Sequence, residues 1–115
     1  MDSSRVRQRD LVWVDFDPHR GREIKKRRPA LILSSDAFIA DTGFIIVAPI
    51  TSTIRQKHGF FDLVGYHTAG QVVARQIYSF DITADSKRHV EFIERMRYAD
   101  FYSVAQLIAF DFGFM

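Results

Sequence analysis

The chain contains no cysteine, which removes disulfides, thiolate zinc sites and cysteine nucleophiles together and fits a reducing cytosol. Any catalysis therefore has to use oxygen, nitrogen or charge. Long apolar runs are also missing: the longest, Phe44 to Ile50, falls far short of the ~20 residues a membrane-spanning helix needs. Met1 to Asp10 is polar and basic with no apolar stretch behind it, so no secretory signal is expected and the protein is placed in the cytoplasm with no membrane partner. There is no internal repeat, heptad pattern or low-complexity tract, no glycine-rich phosphate loop and no serine-hydrolase elbow. The histidines, His19, His58, His67 and His89, lack the pairwise spacing of metal ligands, so neither a metal nor another cofactor is expected.

With 115 residues, of which 47% are hydrophobic, the chain has material for one core and reads as a single domain over 1–115. Its net charge of +2 conceals an uneven distribution. Arg20, Arg22, Lys25, Lys26, Arg27 and Arg28 crowd between His19 and Arg28 against a single carboxylate, Glu23. Such a field favours a polyanion, although a charge run taken alone is more often a solvated loop.

Leu11 to Phe16 is short, β-branched and aromatic and stops at Asp17-Pro18, where proline has no amide for a ladder; it reads as a first strand. Pro29 to Ser34 and Gly43 to Ile50 read as two more buried strands, with Asp41-Thr42-Gly43 as the turn between them. Weaker strand signals follow at Phe60 to Val64, Gln71 to Ala74, Ile77 to Ile82 and His89 to Ile93. Short strands at this spacing argue for a curled sheet or small barrel. Near the C-terminus Phe101, Val104, Ala105, Ile108 and Phe112 recur at three- and four-residue steps, so one helix is expected over Ala99 to Asp111. Leu107, Phe110 and Phe114 widen its apolar surface, enough to pack on the barrel and against a second copy. The expected fold is mostly β with that single helix closing it.

The basic loop runs into Arg28-Pro29, and Pro49-Ile50-Thr51-Ser52-Thr53 follows a buried strand. If the second and third strands are antiparallel neighbours, Arg28 and Thr51 share one edge of the sheet. A guanidinium is a permanently charged fork of donors and a threonine hydroxyl a second donor, a combination suited to a phosphodiester. Each residue also has a plainer account: Arg28 as an edge arginine paired with Asp15 or Asp17, Thr51 as a turn residue bonding its own backbone. Three features converging on one edge favour the active-site account. Glu23 is the nearest candidate base, or an ordinary loop carboxylate, and Arg55 and Lys57 could hold phosphate on the second loop.

Asp10 to Pro18, then Gly21 and Glu23, Arg28 to Ser34, Pro49-Ile50-Thr51 and Gln76 resemble the MazF/PemK toxins in order and spacing. The resemblance covers nearly the whole chain and is strongest through Arg55. It implies an SH3-like barrel of antiparallel strands with a C-terminal helix, a homodimer, and metal-independent cleavage of single-stranded RNA. It further implies a cognate MazE/PemI-like antitoxin whose tail occupies the RNA groove. By position it casts Arg28 and Thr51 as the catalytic pair and sets Glu23 and Gln76 beside the substrate, joined by Arg22, Arg27, Ser52, Arg55 and Lys57 as binding residues. Three features depart from the family pattern: Arg75 precedes Gln76 where a carboxylate is common, Ile24 follows Glu23 where a glutamine is common, and the loop around Glu23 is unusually cationic. Two readings of other classes stand beside this one, a non-catalytic CcdB-like toxin gripping a protein such as gyrase and a basic nucleic-acid-binding regulator.

Overall fold

The computed structural model describes residues 6–16 and 27–115. Its strands are apolar on both faces, which is why they read as nearly continuous hydrophobic runs. Along β1 (Asp10–Asp15), Val12 and Val14 enter one core, while Leu11 enters a second on the opposite face. The alternation repeats in β2 (Arg27–Ile32), where Ala30 and Ile32 face the first core and Leu31 the second.

β3 (Phe44–Thr51) is the longest strand and organises the sheet. One edge runs antiparallel to β2, with Ala30 opposite Pro49 and Ile32 opposite Val47. The other edge is shared: Phe44 to Val47 pair with β6 (Tyr78–Asp81), and Ile50 and Thr51 pair with β5 (Gln71–Val73). β4 (Phe60–Asp62) lies outside β5, and β7 (Val90–Arg95) lies outside β1, giving the order β4-β5-β3-β2-β1-β7 with β6 beside β3. All pairings are antiparallel. Phe80 of β6 and Val90 of β7 meet in the same core as Val12 and Val47, so the sheet curls until its far strands close over one interior.

The second core lies on the outside of that curl, beneath α2 (Tyr98–Phe112). Val104 is fully buried there against Leu11, Leu31, Ile50 and Met96, flanked by Phe101, Leu107 and Ile108. The expected mostly β architecture with a C-terminal helix is thus observed. Phe112 of the expected stripe and Phe110 and Phe114 of the widened surface remain exposed.

A second helix corrects the expectation of one helix only. Asp36–Thr42 forms α1, where only a turn at Asp41-Thr42-Gly43 was expected. The Ser35 hydroxyl oxygen accepts the Phe38 amide at 3.1 Å and caps its start. Gly43 ends it in the left-handed region at φ 74°, and a Cβ there would lie 2.4 Å from Thr83 Cγ2. Only Ile39 of this helix is buried, so it has no apolar period to betray it.

Candidate functional site

Extending the β2–β3 register two residues past Ala30–Pro49 sets Arg28 across from Thr51. These strand ends open onto a cleft of about 520 Å³. Arg28, Pro29, Ile50, Thr51 and Ser52 form one side, Trp13 and Ile93 come from the neighbouring strands, and His67, Thr68 and Ala69 supply the facing wall. Its lining mixes apolar side chains with hydrogen-bond donors.

Thr51 is held from two directions. Its hydroxyl oxygen accepts the Thr53 amide at 3.1 Å, the local turn anticipated for it, and this leaves the hydroxyl proton free to donate elsewhere. Behind it the chain entering β5 passes so closely that only glycine fits at position 70. Gln71, buried beside it, then clamps the following loop: its Oε1 accepts the Arg55 amide at 3.0 Å and its Nε2 donates to the Arg55 carbonyl at 3.0 Å and to Asp62 Oδ1 at 2.7 Å.

Arg28 is half-buried, with its guanidinium carbon 5.1 Å from the centre of the Phe16 ring. Phe16 in turn meets Tyr78 and Phe80 edge-to-face at 5.0 and 5.1 Å. No ion pair joins Arg28 to Asp15; at this rim it is Arg27 that pairs, with Glu91 at 2.6 Å. The Arg27 guanidinium also lies 5.6 Å from the centre of the Trp13 ring, which brings a second cation to the edge of the cleft.

The facing wall is fixed by β7. Glu94 accepts the His67 amide at 3.1 Å and both the amide and the hydroxyl of Thr68 at 2.7 Å. Burial works against its ionisation, but the Thr68 and His67 hydrogen bonds and the nearby His67 charge prevail and hold the carboxyl below its ordinary value. Tyr66 donates to Asp100 at 2.6 Å, and burial together with that bond pushes its phenol up.

The structure therefore brings Arg28, Thr51 and Ser52 to one cleft, with Arg27 adjoining. Arg55 and Lys57 are exposed on the neighbouring loop, and Gln76 is exposed beyond β5, where its amide turns back to the Val73 carbonyl; none of the three lines the cleft. Arg22 and Glu23 lie outside the described residues. Trp13, His67 and Thr68 were not among the expected site residues. Strand alternation around Val12 and Val14 carries a signal for Trp13, whereas nothing in the sequence singles out the other two. Among the described residues, no three His, Cys, Asp or Glu side chains gather as a metal site would require.

The model of the PemK-like, MazF-like toxins of type II toxin–antitoxin systems matches residues 7–109. The chain belongs to the PemK/MazF toxin family. Among its PemK/MazF relatives, the endoribonuclease toxin MazF of Escherichia coli K12 is 38% identical over 73 residues, 61% of this chain and 63% of that protein. The match thus spans just under two thirds of that relative's length. Endoribonuclease PemK of Escherichia coli is 33% identical over 90 residues, 73% of this chain and 68% of that protein. In three dimensions the chain superposes on MazF in a MazE–MazF structure from Deinococcus radiodurans with a TM-score of 0.81 at 26% identity, covering 96% of this chain and 97% of that one. No helix among the described residues is long and apolar enough to cross a membrane.

Proposed function

We propose that this PemK/MazF chain is the toxin of a type II toxin–antitoxin pair and a sequence-specific endoribonuclease that cuts single-stranded mRNA without a metal. The observation that carries the reading is the register that sets Arg28 across from Thr51 at a cleft. RNA supplies its own nucleophile: the 2′-hydroxyl attacks the adjacent phosphorus in line, leaving a 2′,3′-cyclic phosphate and a 5′-hydroxyl. The protein then has to splay the strand, place donors on the phosphorane oxygens and provide for two proton transfers. The Arg28 guanidinium stabilises the phosphorane, and the free Thr51 proton donates to a second oxygen. Ser52, Arg27 and the cations of 20–26 hold flanking phosphates.

The relatives' names, endoribonuclease MazF and PemK, support this chemistry. The antitoxin is a MazE/PemI-like chain, in keeping with the MazE-bound state of the Deinococcus radiodurans protein. The working form is a cytoplasmic homodimer. No specific observation favours the gyrase-binding or regulator readings. End-labelled RNA incubated with the protein in EDTA, followed by mapping of the new termini, tests the proposal. Cyclic phosphate and 5′-hydroxyl ends are expected, and intact RNA or 5′-phosphate ends would overturn it.

A further inference from the structure

Cleavage by an internal 2′-hydroxyl requires a group that returns a proton to the departing 5′-oxygen, and Arg28 and Thr51 are poor at this. A guanidinium is too weak an acid to release a proton readily, and a hydroxyl with an intact bond to its own turn is no better. An imidazolium, with an ordinary pKa of ~6.5, is suited to the task. His67 lines the cleft together with Thr51, and among the described residues it is the only histidine to do so. His58, by contrast, packs edge-on against Phe110 at 5.0 Å.

The chain around His67 is held by several side-chain bonds. Glu94 takes the amides of both His67 and Thr68 as well as the Thr68 hydroxyl. One residue earlier, the Tyr66 hydroxyl donates to Asp100 at 2.6 Å and accepts the Arg97 amide at 2.9 Å. Arg97 also donates to the Val64 carbonyl at 2.5 Å and pairs with Asp100 at 2.9 Å. The backbone is thus tied down on both sides of the exposed His67, which fixes where along the cleft wall its side chain leaves the chain.

Resting on the ribonuclease reading, we propose that His67 is the general acid of the cleft, protonating the 5′-oxygen as it leaves. The O2′–P bond forms as the O2′ proton passes to a base or to water. The P–O5′ bond breaks with its electron pair moving to O5′, which takes the ring N–H proton of the imidazolium. Solvent then reprotonates the neutral ring, so the step is balanced without any added reactant.

The experiment compares His67→Gln and His67→Ala with the unaltered chain on two RNAs, one ordinary and one with sulfur in place of the bridging 5′-oxygen at the cleaved bond. A thiolate leaves without protonation. On ordinary RNA both variants should lose about 100-fold or more in kcat, a typical general-acid contribution, and the sulfur substrate should restore them to the unaltered rate. Arg28→Ala should be impaired on both substrates. An equal loss by the His67 variants on both RNAs, or no loss on either, overturns the proposal while leaving the ribonuclease reading intact. Failure of the unaltered chain to cut either RNA overturns both.

Discussion

A methyl group placed on Gly70 would lie 2.1 Å from the carbonyl oxygen of Thr51. That distance is inside any tolerable contact, and the obstacle is backbone, which cannot swing away. Gly70 also has φ 119°, a region closed to side-chain-bearing residues. Gly70→Ala should therefore push the end of β3 out of place, costing about 1–3 kcal/mol of stability and most of the RNA-cutting activity. Thermal denaturation and initial-rate assays would check this. An active variant melting with the unaltered chain would show that the close approach is not needed.

Gln71 makes a parallel case from a side chain. Replacing it by leucine keeps the volume but leaves the Arg55 amide and carbonyl and Asp62 without their partner. Arg55 and Asp62 are exposed and can turn to water, so each lost bond costs about 0.5–1.5 kcal/mol, and the denaturant midpoint should fall. Hydrogen exchange at the Arg55 amide should speed up well before global unfolding, because this clamp is what the loop after Thr51 hangs on. Unchanged exchange at Arg55 would assign the clamp no role.

If Arg28 and Thr51 are the catalytic pair proposed above, Arg28→Ala and Thr51→Ala should each lower kcat by about 10²–10³-fold, the usual loss for removing one donor to a developing oxyanion. Thr51→Ser keeps the donor and should retain activity. Arg28→Lys keeps the charge but loses the planar fork and should fall between. Circular dichroism of all four should match the unaltered chain, since neither side chain belongs to either core. Continued cutting by both alanine variants would overturn the residue assignment.

The strands and α2 were legible because burial on both faces writes itself as apolar runs, and because Val104 and Ile108 repeat at helical spacing beneath Leu31. The Arg28–Thr51 juxtaposition was legible for a similar reason: antiparallel neighbours put the start of one strand beside the end of the next. What escaped reading is held by distant partners. His67 and Thr68 are placed by Glu94, 27 and 26 residues away, and no local pattern announces such a bond. Gln76 lies outside the cleft because the chain reverses after Val73, a turn without glycine or proline to mark it. α1 escaped because a helix burying only Ile39 has no stripe.

Binding of RNA should weaken as salt is added, because each phosphate neutralised by a lysine or arginine releases condensed counterions. Arg27→Ala should lower the slope of log K against log salt by a little under one unit, about 0.7 for a single strand. It should leave the identity of the cut ends unchanged, since Arg27 adjoins the cleft through Trp13 rather than lining it. A slope unaffected by this change would remove Arg27 from the contact surface.

Glu94 gives the wall of the cleft a pH dependence whose sign follows from its lowered pKa. The hydrogen bonds of Thr68 and His67 favour the carboxylate, so the folded chain binds its proton less readily than the unfolded one, for which the ordinary value is 4.5. The stabilisation is complete above that unfolded value and disappears as pH falls through the lower folded one. Between roughly pH 5 and pH 3, the unaltered chain should therefore lose stability more steeply than Glu94→Gln, which has no proton to gain. Near neutral pH Glu94→Gln should be the less stable of the two, with faster exchange at the His67 and Thr68 amides, because a neutral amide accepts those bonds more weakly than a carboxylate. Parallel stability curves for the two proteins across this range would show that the carboxylate's charge is not what holds the loop.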